Sequence, residues 1–127
     1  MLVTNAISLN MIPPDCASGG IIFRRITVEE AKRLVREAAT IVSAIGHAGT
    51  ARLVGQQLGV ELPADRRTVT LGDELTLVAQ YVGPRLQEGA TELPSGAKIE
   101  FFTVRLASLE ELSWRRGEAM LYPLGGR

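Results

Sequence analysis

Apolar runs broken by glycine, proline and short polar stretches set the pattern of this chain. Leu2 to Asn10 reads as a first strand, interrupted by Thr4, Asn5, Ser8 and Asn10. Asn and Ser are poor strand-interior residues. They serve here either as turn formers or as polar groups reaching a site at the strand's end. Pro13-Pro14-Asp15 through Gly19-Gly20 is a loop. Further strands are predicted over Ile21 to Ile26, Ile41 to Ile45, Thr68 to Leu71, Leu75 to Val82 and Lys98 to Leu106. Gly72-Asp73 reads as a hairpin turn between two of them.

Two helices announce themselves by capping boxes. Thr27-x-x-Glu30 precedes Val28, Ala31, Leu34, Val35 and Ala38, which fall on one helical face. Ser108-x-x-Glu111 opens a last helix through about Arg116, with Trp114 as a packing anchor. A third helix is marked by Ala51, Val54 and Leu58 at helical spacing, with Gly59 as its stop. Strands alternating with helices predict an α/β fold, a mixed sheet of about five strands flanked by helices. Residues 1–127 read as a single domain, with a mobile tail over 120–127.

The strand, turn and helix around Ile41-Val42-Ser43-Ala44-Ile45-Gly46-His47-Ala48-Gly49-Thr50 organise the rest. His47 is the only histidine, and it falls at a helix start. Backbone N–H groups of a helix's first turn are unpaired, and the helix dipole favours an anion there. Imidazole exchanges protons near neutral pH, so a histidine beside a bound anion can act as an acid or base. The plainer reading is that His47 is only a cap. Gly46 and Gly49 suit close approach of a ligand to the backbone, and equally an ordinary tight turn. Residues 83–97 form a long irregular segment carrying Arg85 and Glu88, of a length often found in functional covers.

Charge and composition narrow the chemistry. Formal net charge is zero, with 14 basic and 14 acidic residues. That argues against a broad footprint on duplex nucleic acid, but not against a small anionic ligand. One Cys and one His leave no internal disulfide and no zinc cluster within a chain. A carboxylate-only magnesium site is conceivable, but no carboxylate spacing suggests one, so neither a metal nor another cofactor is expected. No apolar run approaches membrane-spanning length, and no secretory signal is apparent. A cytoplasmic protein is expected.

Three blocks then carry a resemblance. Thr4-Asn5-Ala6-Ile7-Ser8-Leu9-Asn10-Met11, Ser43-Ala44-Ile45-Gly46-His47 with Thr50, and Pro84-Arg85-Leu86-Gln87-Glu88-Gly89 stand in order. Together they resemble the viral anti-CRISPR ring nucleases, over about residues 2 to 106. The resemblance implies a homodimer that binds cyclic tetraadenylate at its two-fold interface and cleaves it without metal. That would switch off type III CRISPR signalling. It implies His47 as general acid, with Arg85 and Glu88 as catalytic or ligand-contacting support. It implies Ser8, Asn10, Gly46, Arg66, Gln80 and Arg85 as ligand contacts. Arg67 beside Arg66 leaves open which arginine faces the ligand, and a one-residue shift affects the match at Gln80. A protein that sequesters or senses the ring without turnover, and a regulatory protein with no small ligand, are the competing readings.

Overall fold

A computed structural model describes residues 1–113 of the chain. Its sheet has five strands: β1 (Leu2–Thr4), β2 (Gly20–Ile26), β3 (Val42–Ser43), β4 (Thr76–Val82) and β5 (Lys98–Ala107). They run in the order β2-β5-β4-β1-β3. β1 is parallel to both β3 and β4, while β5 is antiparallel to β2 and β4. The sheet is therefore mixed, as the element pattern predicts.

Helices α1 (Val28–Glu37) and α2 (Ala48–Leu58) cover one face. Thr27 caps α1 by accepting the Glu30 amide at 3.1 Å, an interaction of about 1 kcal/mol. Ala31 and Val35 of α1, and Ala51, Val54 and Leu58 of α2, pack with Val3, Leu77 and Phe101 of the sheet. Gly59 ends α2 at φ +76°, a left-handed conformation that a Cβ would strain. A second cluster, Met11, Leu71, Val78 and Val104, lies on the other face. The alternation along β4 produces this division: Leu77 and Ala79 join the helices, and Val78 points away from them.

Three expected strands are altered. The first ends at Thr4, and a 3-10 turn at Leu9–Met11 replaces its second half. Asn5, Ser8 and Asn10 are thus turn and loop residues. Only Val42–Ser43 of the run Ile41 to Ile45 is a strand. Thr68 to Leu71 forms no strand, so Gly72-Asp73 is no hairpin turn. Instead the Leu71 amide donates to the Met11 carbonyl at 2.7 Å, and Gly72 accepts from Leu106 at 2.7 Å.

Ser108 caps the last helix by accepting the Glu111 amide at 3.0 Å. The Glu111 carboxylate bonds the Arg105 guanidinium and raises its pKa above the usual arginine value. The expected end of that helix at Arg116, the Trp114 anchor and the tail 120–127 lie outside the described residues. Among those residues no helix is long and apolar enough to cross a membrane.

Candidate functional site

β1, β3 and β4 run parallel, so their carboxyl ends lie at one edge of the sheet. That edge is where ligands bind in open α/β sheets. The chain leaves β3 through Ala44, whose amide still donates to Val3 at 2.8 Å, and then Ile45, which is fully buried. It turns at Gly46 and enters α2 at Ala48.

His47 is the N-cap of α2. Its Nδ1 accepts the Thr50 amide at 3.1 Å, and its carbonyl accepts the Ala51 amide at 2.9 Å. Histidine is an unusual cap, since Ser, Thr, Asp and Asn normally fill this position. The bond also fixes the chemistry of the ring. An Nδ1 that accepts a hydrogen bond carries no proton in the neutral imidazole, so the proton sits on Nε2. Thr50 Oγ1 lies 3.3 Å from the same Nδ1. Thr50 is buried, which holds this geometry against the core.

Gly46, His47, Gly49, Arg52, Arg66, Arg85 and Glu88 line one cavity of about 790 Å3. Three elements far apart in sequence build it. The first is the turn into α2. The second is the 62–67 stretch, where the Asp65 amide donates to Ile45 at 2.8 Å. The third is the segment 83–97 that follows β4. A Cβ at Gly46 would fall 2.6 Å from Arg66 Cγ, so the arginine stem lies directly across this glycine. Of the two adjacent arginines, Arg66 lines the cavity, while Arg67 Nε donates to Asp65 Oδ2 at 2.8 Å.

Segment 83–97 contains neither helix nor strand. The Tyr81 hydroxyl donates to the Pro84 carbonyl at its start. Further along, Arg52 Nη1 donates to the Ala90 carbonyl at 2.8 Å and Gln56 Nε2 to the Thr91 carbonyl at 3.2 Å. Arg85 and Glu88 thus reach the cavity from a segment held largely by side chains of α2.

The structure does not bring every expected residue to this cavity. Ser8 precedes, and Asn10 lies within, the 3-10 turn whose Met11 packs on the sheet's other face. Gln80 shares the alternation of Val78 and is exposed on that same face. Conversely, Arg52 lines the cavity and was not singled out by sequence reasoning. Its signal was its place on α2, four residues before Gln56 and five after His47. Among the described residues no three His, Cys, Asp or Glu side chains gather as metal ligands. The arrangement offers three guanidinium groups, one carboxylate and an Nε2–H around a space open to solvent. It can bind phosphate oxygens and deliver a hydrogen bond or a proton to one of them.

Several virus proteins are similar to this chain. Uncharacterized protein 26 of Sulfolobus islandicus filamentous virus (isolate Iceland/Hveragerdi) is 36% identical over 66 residues, 52% of this chain and 55% of its own length. Uncharacterized protein ORF117 of Acidianus two-tailed virus is 38% identical over 68 residues, 51% of this chain and 56% of its own. The chain therefore spans about half the length of the curated relatives it matches. Among solved structures, B116 of Sulfolobus turreted icosahedral virus superimposes with a TM-score of 0.64 at 28% identity, over 82% of this chain and 97% of B116. The family described as STIV B116-like matches residues 1–101. With most of its length inside that match, and with viral proteins as its relatives, the chain belongs to the STIV B116-like family.

Proposed function

We propose that this protein is a metal-independent ring nuclease that opens cyclic tetraadenylate into linear di-adenylates and so ends type III CRISPR signalling. The observation that carries the reading is the cavity in which the capping His47 meets Arg66, Arg85 and Glu88. Its sequence counterpart is the likeness of the three blocks to the anti-CRISPR ring nucleases.

Cleavage of this kind uses the substrate's own 2′-hydroxyl as nucleophile. Its oxygen gives up its proton to solvent water and bonds to phosphorus, the bond from phosphorus to the 5′-oxygen breaks, a 2′,3′-cyclic phosphate forms, and the 5′-oxygen leaves with a proton. The protein's work is to align the hydroxyl, stabilise the phosphoryl oxygens and supply that proton. Arg66 and Arg85 suit the second task, together with the free amides of the first turn of α2. His47 suits the third through Nε2. When Nδ1 also carries a proton, the ring loses the Thr50 amide as donor, and Thr50 Oγ1 becomes the acceptor at hand. Glu88 orients a reacting group. One histidine per chain provides no second imidazole, so a two-fold homodimer would bring two His47 residues to a ring of matching symmetry.

Incubation of the protein with labelled cyclic tetraadenylate in excess EDTA is the test, with light scattering for assembly. Conversion to di-adenylates by a particle of twice the chain mass is the expected result. Tight binding without turnover would mark a sequestering protein, a reading that the anion-binding turn alone also supports. Loss of cleavage on chelation, restored by magnesium or manganese, would refute the metal-free mechanism.

A further inference from the structure

We propose that Arg52 and Gln56 form a strap that sets segment 83–97 over His47, and that Arg52 is a positioning residue joining this segment to a bound phosphate. The two side chains stand one helical turn apart on α2, so they lie on one edge of it. They hold successive carbonyls, those of Ala90 and Thr91. Their helix is fixed, since Leu53, Val54 and Leu58 are buried. The segment itself is mostly exposed, and its internal backbone bonds are short-range ones such as Ala90 to Gln87 at 3.1 Å.

Arg52 is more than a tether. It lines the same cavity as His47, Arg66 and Arg85. One Nη1–H serves Ala90, and a guanidinium has five such donors. Among the described residues no carboxylate pairs with Arg52. Its direct partner is thus a neutral carbonyl, and its positive charge stands beside the cavity without an ion pair. A phosphate oxygen there would bond the group that already holds Ala90, so ligand and segment share one side chain. Binding then favours the arrangement in which Arg85 and Glu88 face His47. Gln56 does not line this cavity, so it reports on the strap alone. The phosphate half of the proposal rests on the ring-nuclease reading; the strap half does not.

Amide hydrogen exchange of the full chain without ligand tests the strap. In Arg52→Gln, amides over 86–92 should exchange about tenfold faster, the scale of one charge-assisted hydrogen bond. In Gln56→Ala the increase should be about threefold, the scale of a neutral one. Buried amides of α2 should not change in either. Affinity for cyclic tetraadenylate tests the shared contact. It should fall about tenfold in Arg52→Gln and no more than about threefold in Gln56→Ala. Arg52→Lys supplies a point charge in place of a fork, so it should recover the slow exchange or the affinity but not both. Unchanged exchange over 86–92 in Arg52→Gln and Gln56→Ala would overturn the strap while leaving the ring-nuclease reading standing. A wild-type protein that ignores the ring would overturn the phosphate link and the proposed function, with the exchange result still deciding the strap.

Discussion

The two walls of the cavity are built in opposite ways. The wall carrying His47 grows out of the core: Ile45 before it is fully buried, Gly49 and Thr50 after it are buried, and α2 packs along the sheet. The wall carrying Arg85 and Glu88 is irregular chain, and both residues are exposed. One wall is stabilised by apolar burial, the other by a few polar bonds to its neighbour. The first can hold an imidazole in one orientation, as a proton transfer requires. The second can give way to admit a ligand and then return. Substitutions on the two walls should therefore fail differently.

The largest effect is expected on the core-built wall. His47→Ala should slow ring cleavage about a hundredfold or more, the usual scale for losing a general acid. It should also cost about 1 kcal/mol of stability, because the Thr50 amide loses its cap. His47→Asn separates the two, since asparagine caps helices well but transfers no proton near neutral pH. Stability restored with cleavage still lost is the expected result, read by thermal melting beside the rate assay. Wild-type cleavage in His47→Ala would remove His47 from the chemistry.

A smaller and different effect is expected on the other wall. Arg85→Ala should lower kcat/KM about tenfold, the worth of one charge-assisted contact to phosphate, with KM rising and kcat falling together. Glu88→Gln should lower kcat with little change in KM, if the carboxylate orients a reacting group. Neither should move the melting temperature, because both side chains are exposed. A clear loss of stability in Arg85→Ala would show that the segment belongs to the core after all.

The same contrast explains what could be read in the sequence. Helix boundaries were legible because local chemistry sets them: Thr27 and Ser108 cap as their spacing predicts, and Gly59 stops α2. His47 at the start of α2 was legible for the same reason. The stretch Thr68 to Leu71 shows what a pattern omits. Its alternation is real, since Val69 and Leu71 pack inward while Thr68 and Thr70 are exposed. Alternation tells which side chains point inward, not whether the backbone finds a ladder partner, and this backbone meets the 3-10 turn instead. The division of the site was hidden for a related reason. Arg66, Arg85 and Glu88 meet His47 through tertiary packing, while Ser8, Asn10 and Gln80 go elsewhere, and no local spacing distinguishes the two sets. Arg52 escaped notice because an arginine on a helix's polar edge looks like any solvated charge.

The smallest effect gives the sharpest comparison, because one lesion can be placed on both sides. Gly59 and Gly89 both adopt left-handed backbone, at φ +76° and +81°, and a Cβ at either would meet nothing within 4 Å. Alanine at each position therefore carries the same backbone penalty, about 1 to 2 kcal/mol, and no steric one. Gly59 ends α2, whose amide ladder is continuous with the core: its own N–H donates to Gly55 at 2.8 Å. Strain there cannot relax without loosening the helix end, so Gly59→Ala should lower global stability by about 1 kcal/mol, read as a shift in denaturant midpoint at constant slope. Gly89 lies between Glu88 and the strapped Ala90. Strain there can be relieved by moving exposed chain, so Gly89→Ala should leave the midpoint unchanged. Its penalty should surface only when the ligand requires the native arrangement, as a loss of ring affinity of about fivefold. Equal midpoint shifts in the two variants would mean that segment 83–97 unfolds with the core, and the distinction between the two walls would fail.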